Sequence, residues 1–277
     1  MLKLTNTTSP SSTKLFSAVF ALTLTLTCSG LARAADDVLS KYQDALQDFG
    51  KRNAADPAPI ESALQKLEEI ENKSADKDVN YDIFVLEARA LYWKGVHLKA
   101  RDQIMATHLK GQQKADAAVK VNPEYTEGYY YAGINLGRWG EANGIIPSLS
   151  KLGTLKAYMA DASSHLTRAG DAGGTVDGYG PSRVIGRIYF KLPRVFGGSH
   201  KEAIKNLKVA YDNAKDLALN VVYYAETLND GTKEEKIEAK RVLDELLAAD
   251  PETINKDRIP ESREEFKEAR ELRDQIQ

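Results

Sequence analysis

Cysteine is almost missing from this chain of 277 residues; Cys28 stands alone. A single thiol excludes an intrachain disulfide and a cysteine-built zinc site, so packing must hold the fold. Prolines are sparse, and stretches alternating Val, Ile and Thr with polar residues are missing, which argues against sheet. The four histidines, His97, His108, His165 and His200, never form H-E-x-x-H or a close pair at ligand spacing. Neither a G-x-S-x-G elbow nor a G-x-x-x-x-G-K-[ST] phosphate loop occurs. The glycine turns Gly178–Gly180 and Gly197–Gly198 lack the preceding strand that a nucleotide fingerprint needs. Carboxylates are plentiful, as on any solvated helix surface, but no nucleophile, base and stabiliser come together. The expectation is therefore a non-enzyme without cofactor or metal. A basic excess is absent too, with 38 Lys and Arg against 40 Asp and Glu, which speaks against a nucleic-acid partner.

What is present begins with a leader. Lys3 and Lys14 precede an apolar run from Leu15 to Thr27, and no acid appears before Asp36. The run ends at Ala32-Arg33-Ala34, an A-x-A site, and is shorter than the ~20 residues of a spanning helix. This pattern predicts a secretory signal peptide over 1–34, cleaved after Ala34, and a soluble periplasmic mature chain. The alternative is a lipoprotein anchored through Cys28, but Thr25 and Thr27 fit the lipid-attachment pattern poorly. The membrane is a partner only if Cys28 is lipidated.

The rest, 35–277, reads as one all-α domain. Val38, Tyr42, Leu46 and Phe49, then Ile60, Leu64, Leu67 and Ile70, recur at helical spacing and predict an opening hairpin within 35–75. Helix pairs follow over 81–277: Tyr81–Leu98 with Lys99–Val121, and Tyr125–Trp139 with Leu149–Ala169. Pro181–Phe190 pairs with His200–Lys215, and Leu217–Leu228 with Lys233–Ala249. A last helix, Arg263–Ile276, is expected to cap the open end. Ser199 with Glu202, Thr232 with Glu235, and Ser262 with Glu265 have capping-box spacing.

The pairs share a packing signature. Gly95, Gly133, Gly186 and Ala225 supply a small residue on each first helix, where a partner backbone comes close. On the second helices, Ala203-Leu207-Ala210 and Ala239-Leu243-Leu246-Pro251 follow the tetratricopeptide spacing, and Ala115, Ala118 and Pro123 fit its second half. Small residues in register four times predict an α-solenoid of tetratricopeptide-like hairpins. Two segments interrupt it, the glycine-rich stretch after Gly170 and Lys191–Ser199. Long connections of this kind often carry function.

The segment SRVIGRIYFKLPRVFGGSHKEAIKNLKVAYDNAKDLALN, from Ser182 to Asn220, resembles the T-component family of tripartite ATP-independent periplasmic (TRAP) transporters. The resemblance rests on Gly186, Tyr189, Leu192-Pro193, Gly197-Gly198-Ser199 and Ala203, with Asn220–Glu226 and Phe266–Arg270 in support. It covers Tyr81 to the C-terminus and leaves the opening hairpin unaligned. It implies a helical periplasmic partner of a solute-binding protein, with a pore or cleft for a hydrophobic ligand. Trimers occur in that family, so a homo-oligomer is implied as well, although no residue pattern here fixes a symmetry.

In stacked hairpins the first helices line the concave face, and positions four apart on one helix point the same way. Flanking each small residue gives Tyr92 and Val96, Tyr130 and Ile134, Arg183 and Arg187, and Val222 and Glu226. Phe190 lies near this stripe, and Arg138 and Trp139 end their helix beside it. Arginine forks suit a carboxylate ligand or an acidic partner, and the aromatics supply anchor area. The competing reading is that the tyrosines pack the core and the arginines pair with neighbouring acids. Arg194 and Phe196 mark the Lys191–Ser199 loop as a contact surface. A general envelope scaffold without a transport role is the alternative function.

Overall fold

The computed structural model describes residues 35–276; the leader, the Ala34 cleavage point and Cys28 lie outside the described residues. Helix-forming residues at helical spacing give α1 over 35–50. Next come α2 (Ala58–Ile70), α3 (Lys77–Val96), α4 (Arg101–Val121), α5 (Thr126–Asn143) and the short α6 (Ile145–Ser148). They are followed by α7 (Leu152–Ser164), α8 (Val176–Lys191), α9 (His200–Asn213), α10 (Ala218–Asn229), α11 (Lys233–Leu247) and α12 (Ile259–Gln275). Among the described residues no strand forms, and no helix is long and apolar enough to cross a membrane. The fold is an all-α helical-repeat solenoid.

The hairpins are α3 with α4, α5 with α7, α8 with α9, and α10 with α11, each packed on the next in chain order. The first helices α3, α5, α8 and α10 also touch one another in succession, so they form the inner layer. Close approach depends on the small residues. A Cβ on Gly95 would come 2.5 Å from the His108 ring of α4, and one on Gly186 would come 2.6 Å from Leu207 Cγ of α9. Ala115, Ala118, Ala203, Ala210, Ala225 and Ala239 are fully buried at the matching crossings. Leu207, Leu243 and Phe266 centre the C-terminal core, while Phe49, Leu67, Ile83 and Trp93 centre the N-terminal one.

Several helix ends differ from expectation: α3 starts at Lys77, α5 runs on to Asn143 and α8 starts at Val176, and two further differences have a visible cause. Thr232 and Glu235 form a full capping box, and Ser199 Oγ accepts the Glu202 N–H at 3.3 Å. Ser262, however, lies inside α12, which starts at Ile259 with Pro260 in its first turn, where a missing N–H costs nothing. Glu265 is thereby released from capping; it accepts the Leu219 N–H instead. The second difference is α7, which runs only from Leu152 to Ser164 instead of Leu149–Ala169. The chain leaves the helix because the Leu166 carbonyl accepts the Thr126 N–H at the start of α5, at 2.9 Å. Gly173 N–H then bonds the His165 carbonyl at 2.8 Å.

The terminal helix does more than cap an end. It packs on α10 and α11, then reaches across the concave side to the first hairpin. Arg52, just after α1, makes a two-point bond to Glu261, and His97 at the end of α3 meets Glu264 at 3.0 Å. These side-chain bridges tie the last helix to the opening part of the chain.

Candidate functional site

The concave side holds an open chamber of about 570 Å³, within the roughly 300–1,000 Å³ of small-molecule sites. All four pairs named from the helical spacing line it: Tyr92 and Val96, Tyr130 and Ile134, Arg183 and Arg187, Val222 and Glu226. Arg138 lines it as well. Leu152, Leu155, Val184 and Ile188 supply apolar wall, and α12 supplies the acidic side through Glu261, Glu264, Glu265 and Glu268. Those four glutamates sit at helical spacing and so share one face of α12.

At one end of the chamber the backbone takes an unusual path. Asp177, Gly178 and Tyr179, ahead of the regular part of α8, all have positive φ, 50°, 61° and 63°. Left-handed geometry costs a non-glycine residue roughly 1 kcal/mol, so neighbouring groups must hold the turn. Asn220 donates to the Gly178 carbonyl at 3.0 Å, and Arg183 donates to the Asp177 carbonyl at 2.9 Å. The turn delivers the Asp177 carboxylate to Arg183 at 2.5 Å, Arg258 at 2.7 Å and the Tyr130 hydroxyl at 2.6 Å. Burial alone would raise the Asp177 carboxyl, but Arg258 and Arg183 outweigh it and hold it below its ordinary range. Burial drives the Tyr130 phenol well up, so it stays protonated and donates.

The arginine pair therefore separates into two different environments. Arg183 is 3% exposed, and its guanidinium also bonds Asn220 Oδ1 and the Tyr130 hydroxyl, both at 2.8 Å. Both of its Nη groups are engaged by the protein, and through them it braces the left-handed turn. Arg187 pairs with Glu226 and lies 3.8 Å over the Tyr223 ring. Burial works to raise the Glu226 carboxyl, yet Arg187 and Lys191 hold it low. Arg138 spans the inner layer, donating to Tyr92 of α3 at 3.2 Å and Tyr223 of α10 at 3.3 Å.

Four residues named in advance fall outside the lining: Trp139, Phe190, Arg194 and Phe196. Phe190 sits behind the chamber, against Arg187 and Lys191. Trp139 is partly exposed one residue beyond Arg138, turned off the inner face by its helical phase. Arg194 and Phe196 belong to an exposed turn whose tip, Val195, is 84% exposed. Sequence reasoning missed Arg89, Tyr131, Tyr223, Asp177, Arg258 and the acidic face of α12, all of which line the chamber. Arg89 was within reach, because it lies one turn before Tyr92 on the same face of α3.

Among the described residues no group of three or more His, Cys, Asp or Glu is placed to hold a metal ion. The lining offers aliphatic walls, aromatic faces, guanidinium groups and carboxylates. Neither a protein-family model nor a curated protein matches the chain.

Proposed function

We propose that this protein is an exported, periplasmic helical-repeat binding protein, the accessory T component of a TRAP-type solute transporter. In this reading the chamber holds a small apolar ligand with an acidic end, and the outer surface engages a solute-binding protein. The chamber carries the proposal: it is large, walled by aliphatic and aromatic side chains, edged with arginine, and closed by α12. Such a lining suits a bound molecule better than a peptide-docking groove, because α12 already covers the concave face a peptide would need. The exposed turn Arg194–Phe196 offers an apolar and cationic contact for the partner.

The test is affinity capture from the native cell envelope, with mass spectrometry of what co-purifies. The expected result is a solute-binding protein recovered in near-equal amount, and lost with Arg194→Glu plus Phe196→Ser. Recovery without any solute-binding protein would favour a general envelope scaffold and end the transporter reading.

A further inference from the structure

The arginines of the chamber differ in one respect that the sequence does not reveal. Arg138 pairs with Glu141 at 2.9 Å, Arg183 with Asp177 at 2.5 Å, and Arg258 with Asp177 at 2.7 Å and Glu265 at 3.3 Å. Arg187 pairs with Glu226. Arg89 alone among the lining arginines has neither a carboxylate within 4 Å nor a hydrogen bond to any described residue. Its guanidinium lies over the Phe49 ring at 5.0 Å and the Tyr131 ring at 5.8 Å. Those ring contacts use no N–H donor, so among the described residues the five donors of this permanently charged, half-buried group have no acceptor.

The carboxylates nearest this end already serve other arginines: Asp177 is bonded to Arg183 and Arg258, Glu261 to Arg52, and Glu265 to Arg258. Glu268 is exposed and sits among Arg138, Arg187, Glu226 and Glu264, toward the other end. An unpaired cation in a partly desolvated site is costly unless an anion arrives with its ligand.

We propose that Arg89 is the anchor for the carboxylate head of a singly charged amphipathic ligand, whose apolar body lies along Tyr92, Ile134, Leu155 and Ile188. The inference rests on the chamber being a ligand site, as proposed above, and it assigns the anion contact to Arg89 rather than to Arg183 or Arg187. A carboxylate suits the site, because its two oxygens match a guanidinium fork edge-on while rings occupy the faces.

The test is a titration of delipidated full-length mature protein with dodecanoate, dodecanol, dodecyl phosphate and dodecyltrimethylammonium. Dodecanoate is expected to bind at least about tenfold tighter than dodecanol, the scale of one charge-assisted fork. In Arg89→Gln that advantage disappears while dodecanol binding stays, which also shows that the chamber is folded. Arg89→Lys, which keeps the charge and loses the fork, is expected to fall between. Equal binding of acid and alcohol, an undiminished preference in Arg89→Gln, tighter binding of dodecyl phosphate than dodecanoate, or no binding of any probe would each overturn the assignment. Capture of the solute-binding protein by Arg89→Gln reports separately on the transport reading, since Arg89 is not on the outer surface.

Discussion

Arg52 and Glu261, 209 positions apart, form a two-point bond with Nε–Oε1 at 2.9 Å and Nη2–Oε2 at 2.7 Å. Arg52 is only 4% exposed and Glu261 20%, and the arginine also donates to the Asp257 carbonyl at 3.2 Å. This clasp joins the opening hairpin, α1 with α2, to the last helix.

Glu261→Ala leaves the Arg52 guanidinium buried without its main partner, and loss of one member of such a pair costs about 2–3 kcal/mol after allowance for its partial exposure. Urea unfolding is expected to show that loss, and small-angle scattering a larger radius of gyration as α12 swings from the opening hairpin. Wild-type stability together with an unchanged scattering curve would mean that the clasp is incidental.

Two glycines at equivalent helix crossings should respond differently to alanine. On Gly186 the new Cβ meets the branch carbon of Leu207 at 2.6 Å and its backbone nitrogen at 3.1 Å, so a helix must move. Gly186→Ala is expected to cost about 1–3 kcal/mol despite the better helix propensity of alanine. On Gly133 the closest atom is the methyl end of Met159, which can rotate away. Gly133→Ala is expected to stay within about 1 kcal/mol of wild type. Paired thermal melts decide it; equal losses would show that side-chain give does not control the crossing.

Two buried groups set opposite limits on stability against pH. Burial pushes the Glu87 carboxyl up from 4.5 to about 8, with Glu71 adding to the rise and Lys114 opposing it. The folded chain therefore holds that proton more tightly than the unfolded one; its contribution is full below 4.5 and is lost as pH rises through about 8. Burial lowers the His108 imidazole from 6.5 to about 4, although Asn135 bonds it. Its contribution is full above 6.5 and is lost as pH falls through about 4. Glu87→Gln should flatten the alkaline side of a melting-temperature profile and leave the acid side alone. A variant whose alkaline side falls as steeply as wild type would refute the role of Glu87.

The helices and their order could be read in the chain because their signals are local. Gly95, Gly133, Gly186 and Ala225 sit where a partner helix must approach, and counting along the helix from them reached eight chamber-lining positions from Tyr92 to Glu226. The same counting assigned Arg183 and Arg187 to one stripe and could not separate their fates. Arg183 loses its donors to Asn220, Tyr130 and a left-handed turn, none of which is near it in helical phase. The Ser262–Glu265 spacing predicts a helix start, whereas α12 begins at Ile259, about a turn earlier, with Pro260 in its first turn.

By itself the sequence determined an all-helical chain of stacked hairpins and which face of each first helix points inward. Both follow from periodicity and side-chain size over a few turns. Only the tertiary structure decided that α12 returns to the opening hairpin, that Glu261 and Glu264 meet Arg52 and His97, and that Arg89 has no carboxylate partner among the described residues. Those outcomes depend on the small rotation added at each repeat, which accumulates over four hairpins before residues as distant as Arg52 and Glu261 come within reach.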